Sequence, residues 1–275
     1  MAAKRTENPE IVGLRGIGLL REERLVLEDI DLSIRRGEHW VLLGPNGSGK
    51  SSLMALLQGF LWPQEGEVRV LGRTFGGDDI TGLRRVIGWV GNDIEPEFPA
   101  WQTVEQIAWS GCVGTVGLRF DRPGIRDRAR ARRLLRAAGM GRLAGRPFSQ
   151  LSQGQRRMAT IVRALMVKPG LLILDEPAAG LDPVAREGFL ERLSALMRDP
   201  DGPAILYVTH HVEEIVPEFT HALLLRRGRA MAFGRIRECL TAANLGKVFG
   251  RAVSLRRIDG RYSLRLTAGG KAGSR

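Results

Sequence analysis

The sequence predicts an α/β fold with a largely parallel sheet and an inserted helical subdomain. Short apolar runs of strand length, His39–Leu43, Leu171–Leu174 and Ala204–Thr209, read as buried central strands. Helical segments alternate with them: Lys50 to about Gly59 follows the first run, and Pro183–Met197 joins the last two. A long helical stretch from about 101 to 168 interrupts that alternation. At 275 residues, one or two domains with a large buried core are expected.

Taken in order, Leu25–Ile34 alternates apolar and polar residues as a half-buried strand does, and Arg36-Gly37 turns the chain into His39–Leu43. A glycine-rich loop, Gly44–Gly49, precedes the first helix. Gly66–Leu71 and Val86–Val90 read as further strands. From Thr103 to about Ala138 the pattern is helical, with breaks expected at Gly111–Gly117 and Pro123-Gly124. Gln155–Val167 is a helix stopped by Pro169-Gly170. Near the end, Ala252–Ile258 and Arg261–Leu266 flank Asp259-Gly260, a two-residue hairpin signal. Ala268–Arg275 is small and polar, as a frayed end is.

The charge is strongly positive, 42 Lys+Arg against 30 Asp+Glu for a formal net of +12, and arginine supplies 37 of the cations. It is unevenly placed. Residues 119–157 carry a net of +10 and residues 226–275 a net of +11, so the rest is negative. The run Arg126, Arg128, Arg130, Arg132, Arg133, Arg136 reads as a solvated helix face. Charge alone leaves nucleic acid and a membrane surface both open as partners. The 43% apolar content excludes a largely disordered chain. No run approaches the ~18–20 apolar residues of a spanning helix, and no signal peptide is visible behind Met1. Cys112 and Cys239 are too few for a disulfide framework, which fits a reduced, cytoplasmic setting.

Two segments carry chemistry. Gly44-Pro45-Asn46-Gly47-Ser48-Gly49-Lys50-Ser51 satisfies G-x-x-x-x-G-K-[ST], with an apolar strand before it and a helix after it, and Ser52 is counted with these residues as nucleotide-binding. Glycines let backbone N–H groups turn around phosphates, and the helix N-terminus adds partial positive charge. Lys50 can reach the β and γ phosphates of ATP, and the Ser51 hydroxyl can ligate Mg²⁺. A chance glycine turn would not need that strand–loop–helix context. Downstream, Leu171–Leu174 runs into Asp175-Glu176-Pro177, two carboxylates at a strand's carboxyl end, where α/β sheets bind ligands. Asp175 can hold Mg²⁺ and Glu176 can polarise the attacking water. Alone, the pair reads equally as a turn capping the next helix; the phosphate loop 125 residues upstream of Asp175 favours chemistry.

Leu151-Ser152-Gln153-Gly154-Gln155 resembles the LSGGQ signature of ATP-binding cassette (ABC) ATPases, with Gln at the third position. Ala179-Gly-Leu-Asp182 looks like that family's D-loop, Tyr207-Val-Thr-His210 like its switch-histidine segment, and Val86–Asn92 like the strand leading to its Q-loop. The resemblance covers roughly residues 10–235. It implies a P-loop NTPase (RecA-like) core with an ABC-type antiparallel β region, the helical subdomain at about 101–168, and a basic C-terminal extension, 236–275, with a hairpin at 252–266. It also implies two cassettes paired head to tail as a homodimer, with ATP held between one phosphate loop and the partner's signature. Ser152, Gly154 and Gln155 would contact the partner's ATP, with Asp182 beside them, and His210 would contact the γ-phosphate.

This chain departs from the family pattern in two places. Asn92 stands where the family has Gln, so its contact with Mg²⁺ and water could pass to Asp93. The family's early adenine-stacking aromatic is missing between Ile11 and His39. Arg21 lies near that position, and its guanidinium could stack instead or be merely solvated. The glycine-rich Ser110–Leu118 and His210-His211 resemble a molybdenum- or iron-uptake branch. Trp101, Trp109 and Val116 are candidates for apolar contact with membrane subunits or for core packing. The function implied is a Mg-dependent ATPase on the inner face of the membrane. It would drive separate permease subunits and be served by a substrate-binding protein if it imports. The alternative is a soluble ABC ATPase acting on nucleic acid or protein assembly; no specific nucleic acid is expected, since long coiled-coil insertions and a fused twin cassette are absent.

Overall fold

A computed structural model describes residues 8–80, 82–91, 98–113, 118 and 123–267. In chain order the elements are β1 (Glu10–Arg21), β2 (Arg24–Arg35), β3 (His39–Leu43), α1 (Lys50–Leu57), β4 (Glu65–Val70), β5 (Arg73–Thr74), α2 (Leu83–Val86) and β6 (Ile87–Val90). There follow α3 (Val104–Val113), α4 (Ile125–Ala137), α5 (Gln153–Leu165), β7 (Leu171–Asp175), α6 (Pro183–Met197) and β8 (Ala204–Thr209). The chain closes with β9 (His221–Arg226), β10 (Arg229–Arg235), α7 (Ile236–Cys239), α8 (Ala242–Phe249), β11 (Val253–Ile258) and β12 (Arg261–Leu266).

The central sheet has the order β10-β9-β3-β8-β7-β6, parallel throughout except for β10 at one edge. Every residue of β3 and β8 is buried, which explains why these strands read as continuous apolar runs. Strand period two then divides the core. Leu172, Leu174, Ile205 and Tyr207 face a cluster built with α3–α6, whereas Leu171, Ile173, Leu206 and Val208 face one built with α1 and the second sheet. That second sheet is antiparallel, in the order β2-β1-β4-β5. The parallel sheet is thus covered on one face by helices and on the other by an antiparallel layer, the α/β arrangement expected.

The helices differ from expectation in more than one place: α2, α7 and α8 were not foreseen, and α2 takes up Val86, read as the start of a strand. The break foreseen from Gly111 does not occur there: α3 runs on to Val113, and residues 114–117 lie outside the described residues. A Cβ on Gly111 would collide with the carbonyl of Arg163, so this glycine serves close approach of α3 to α5. The hairpin prediction holds. β11 pairs antiparallel with β12, and Asp259 and Gly260 have φ of 49° and 82°, the two positive values of a type I′ turn. The C-terminal segment is joined to the core, because Ile236, Leu245, Val248, Val253 and Tyr262 are buried in the same cluster as α5 and α6.

Candidate functional site

The phosphate-loop segment leaves the carboxyl end of β3 and enters α1. Gly47 and Gly49 adopt φ of 74° and 105°, conformations that cost glycine little. At Gly44 a Cβ would strike the Leu225 carbonyl and lie 2.6 Å from Ser48 Oγ, so the loop is pressed onto the sheet. Gly49 caps α1 with no side-chain acceptor, leaving the helix's first N–H groups uncapped by side chains, as an anion site requires. Ser48 is buried, and its Oγ has no hydrogen-bond partner among the described residues. The Lys50 side chain is buried; Nζ donates to Gly44 O (2.8 Å) and Pro45 O (3.1 Å). Two of its three donors are thereby used within the loop. Burial pulls the Lys50 pKa down, opposed by the carboxylates of Glu176 and Asp175.

β8 lies between β3 and β7, so all three strands end on the same side and bring distant residues together. Asp175 ends β7. Glu176 follows with φ of 46°, a left-handed conformation uncommon for a side-chain-bearing residue, and its N–H donates to Val208 O (2.9 Å). Glu176 Oε1 lies 3.0 Å from His210 Nδ1, just past β8, and 4.0 Å from Lys50 Nζ. The His211 ring lies against His210 with centroids 4.0 Å apart. A cleft of about 690 Å³ is lined by Asn46, Gly47, Gly49, Lys50, Ser51, Ser52, Asp175 and Glu176, together with Arg21. It has room for a nucleotide. A smaller cavity of about 400 Å³, lined by Arg130, Arg133, Asp199 and others, contains none of these residues.

Ser152, Gly154, Gln155 and Asp182 are not among the residues lining this cleft. Ser152 caps α5 in a reciprocal box: Gln155 N donates to Ser152 Oγ (3.3 Å), and Ser152 N donates to Gln155 Oε1 (3.0 Å). Asp182 caps α6, accepting from Val184 N and Ala185 N, both at 2.9 Å. Ser152 and Asp182 are exposed, and Val184 beside Asp182 is 83% exposed. Asn92, Asp93 and Val116 lie outside the described residues. Trp101 is 71% exposed, whereas Trp109 packs against the helical core.

Sequence reading missed several contributors. Arg24, Leu25, Val26, Arg227 and Gly228 also line the cleft, and Gly228 N donates to Ser48 O (2.9 Å), tying the β9–β10 turn to the phosphate loop. The Arg227-Gly228 turn was the available signal. Buried Arg157, two residues past Gln155, donates to Gly91 O (3.1 Å) and links α5 to the end of β6.

Residues 27–179, more than half the chain, match the family described as ABC transporter. A Bacillus subtilis protein, the uncharacterized ABC transporter ATP-binding protein YlmA, is 40% identical over 240 residues, 87% of this chain and 90% of that protein. Among solved structures, CbiO1 from Clostridium perfringens, part of the complex CbiONQ, superposes with a TM-score of 0.74 at 26% identity, covering 86% of this chain and 93% of that one. The ATP-binding cassette MJ0796, solved as a dimer in a post-hydrolysis state with ADP and Pi, gives 0.64 at 27% identity, covering 82% and 99%.

Proposed function

The chain belongs to the ABC transporter family of ATP-binding proteins, and on that premise we propose that it is the ATP-hydrolysing subunit of a membrane transporter, working as a head-to-tail homodimer. The observation that carries this is the convergence of Lys50 and His210 on Glu176 Oε1, at 4.0 and 3.0 Å, at the edge of a cleft floored by a phosphate loop.

In this reading the backbone N–H groups of Asn46, Gly47, Gly49, Lys50 and Ser51, with Ser52 beside them, receive the phosphates of ATP, and Lys50 neutralises their charge. The buried, unpartnered Ser48 hydroxyl and the uncapped start of α1 fit a polyanion here. Ser51 and Asp175 line the same cleft and would hold Mg²⁺, which keeps most of its ligands from phosphate and water and offsets charge on the transferring phosphoryl group. Glu176 accepts the proton of the attacking water. An ionised Glu176 accepts a hydrogen bond from His210 Nδ1, which fixes the orientation of the ring beside the phosphate loop; Nε2 can donate to the γ-phosphate only when it carries a proton as well. Arg21 lines the cleft and is the residue offered to the adenine; the water-side role read for Asn92 or Asp93 falls outside the described residues.

Ser152, Gly154, Gln155 and Asp182 act on the partner's nucleotide. The MJ0796 dimer supports this by likeness, as does the exposure of Ser152 and Asp182 outside the cleft. Among the described residues no helix is long and apolar enough to cross a membrane. The reading assigns translocation to separate permease subunits, after the example of CbiO1 within its complex, and a substrate-binding protein would serve an importer. The chain then sits peripherally on the cytoplasmic face, with exposed Trp101 available for docking.

The test is Glu176→Gln. ATP affinity should persist while turnover falls by about 10²–10⁴-fold, the usual worth of a general base. Wild-type turnover in this variant would remove Glu176 from the mechanism.

A further inference from the structure

Behind the switch histidine lies a buried acid that the nucleotide chemistry does not call for. Glu214, only 2% exposed, ends a single 3₁₀ turn, Val212–Glu214, directly after His211. Its Oε2 accepts hydrogen bonds from Tyr207 Oη (3.0 Å) and Thr209 Oγ1 (2.6 Å), both on β8. Thr209 Oγ1 in turn accepts from the backbone N–H of His211 (3.0 Å). Burial, then the neighbouring Glu214 carboxylate, pushes the Tyr207 phenol well above its ordinary pKa, so it remains a donor. A buried carboxylate is tolerated only when bonded in this way, and the bonds fix the backbone that carries His210 and His211.

The same turn is held from the other side by the C-terminal hairpin. Arg261, the first residue of β12, donates to both carboxylate oxygens of Glu187 on α6 (2.8 and 3.1 Å) and to the backbone carbonyl of Glu213 (2.6 Å). Leu264 N donates to Glu213 Oε1 (3.3 Å). The hairpin thus grips a turn whose next residue, Glu214, is bonded through Thr209 to the backbone of the histidine pair.

We propose that Thr209, Glu214 and Arg261 are positioning residues for His210, and that the C-terminal hairpin tunes ATP turnover by fixing the 212–214 turn from outside the cleft. This rests on the role given to His210 and Glu176 above, so one arm of the test does not depend on turnover. Arg261→Ala should lower kcat about three- to tenfold, the worth of one or two hydrogen bonds, with ATP affinity unchanged. Thr209→Val should do the same and Thr209→Ser should not, because serine keeps the hydroxyl. In a His210→Ala background, Arg261→Ala should cost nothing further, since both act through one ring. The turnover-independent arm is the imidazole spectrum of the four histidines in the nucleotide-free chain. Arg261→Ala should shift the His210 and His211 signals and leave His39 and His221 in place. Unmoved His210 signals, or an Arg261→Ala loss that adds in full to that of His210→Ala, would overturn the proposal. Shifted signals in a chain whose turnover survives Glu176→Gln would keep the hairpin link and discard the hydrolytic reading.

Discussion

The two polar clusters of this chain use their side chains in opposite ways. At the carboxyl ends of β3, β8 and β7, Lys50 and His210 both approach Glu176, and Lys50 and Glu176 line a cleft. At the N-termini of α5 and α6, Ser152 and Asp182 are spent on their own helices and stand exposed. The first cluster is assembled by sheet topology and can hold a reacting molecule within one chain. The second presents the exposed N-caps of two helices outside that cleft.

Changes that break the first cluster should have the largest effects. After Glu176→Gln comes Lys50→Ala, which should weaken ATP binding about ten- to hundredfold by removing a charge-assisted phosphate contact, measured by titration of the nucleotide-free chain. A loss confined to kcat would place Lys50 away from the ground-state phosphates. The second cluster should respond differently. Ser152→Ala should leave the monomer's ATP affinity intact, lower turnover about tenfold, and cost about 1 kcal/mol of stability through the lost cap. Weakened ATP binding by the monomer would erase the contrast between the clusters.

The smallest effect belongs to neither cluster and serves as their control. His39, the first residue of β3, is buried, donating through Nε2 to Met197 O (3.0 Å), and burial holds its pKa below the ordinary 6.5. The unfolded chain takes up that proton more readily than the folded one. Stability contributed by the neutral ring is therefore full above pH 6.5 and is lost as pH falls below it. Thermal unfolding followed from pH 7.5 to 5.5 should show the decline, and His39→Gln should lessen it, the remainder coming from His221, whose pKa burial also lowers, with ATP affinity unaffected in either direction.

The first cluster was largely legible in the sequence because its chemistry is local: a glycine-rich loop and an acidic pair each follow an apolar run of strand length, whereas His210 was singled out only by the resemblance to the ABC family. The parallel sheet was legible for the same reason, since β3, β7 and β8 are buried on both faces. β1 was not. Its pairing with β2 shifts register between Leu14 and Ile17 and again before Leu19, and the bulges destroy the alternation that marks a half-buried strand. Arg24, Leu25 and Val26 were missed at the cleft because strand pairing in that second sheet brings them there. Glu214 was hidden for another reason: its partners, Tyr207 and Thr209, lie on β8, and nothing in its own stretch of chain marks it as buried. Arg21, by contrast, was singled out by its place near the family's missing aromatic, and it lines the cleft.

The central claim is that ATP is closed in by two chains, and it is tested most directly by sedimentation of Glu176→Gln with and without Mg-ATP. The account predicts monomers alone and dimers with ATP. It further predicts that adding Ser152→Arg to the same chain abolishes the dimer while ATP still binds each monomer with unchanged affinity. An ATP-dependent dimer that survives Ser152→Arg, or wild-type turnover by a strictly monomeric chain, would contradict it.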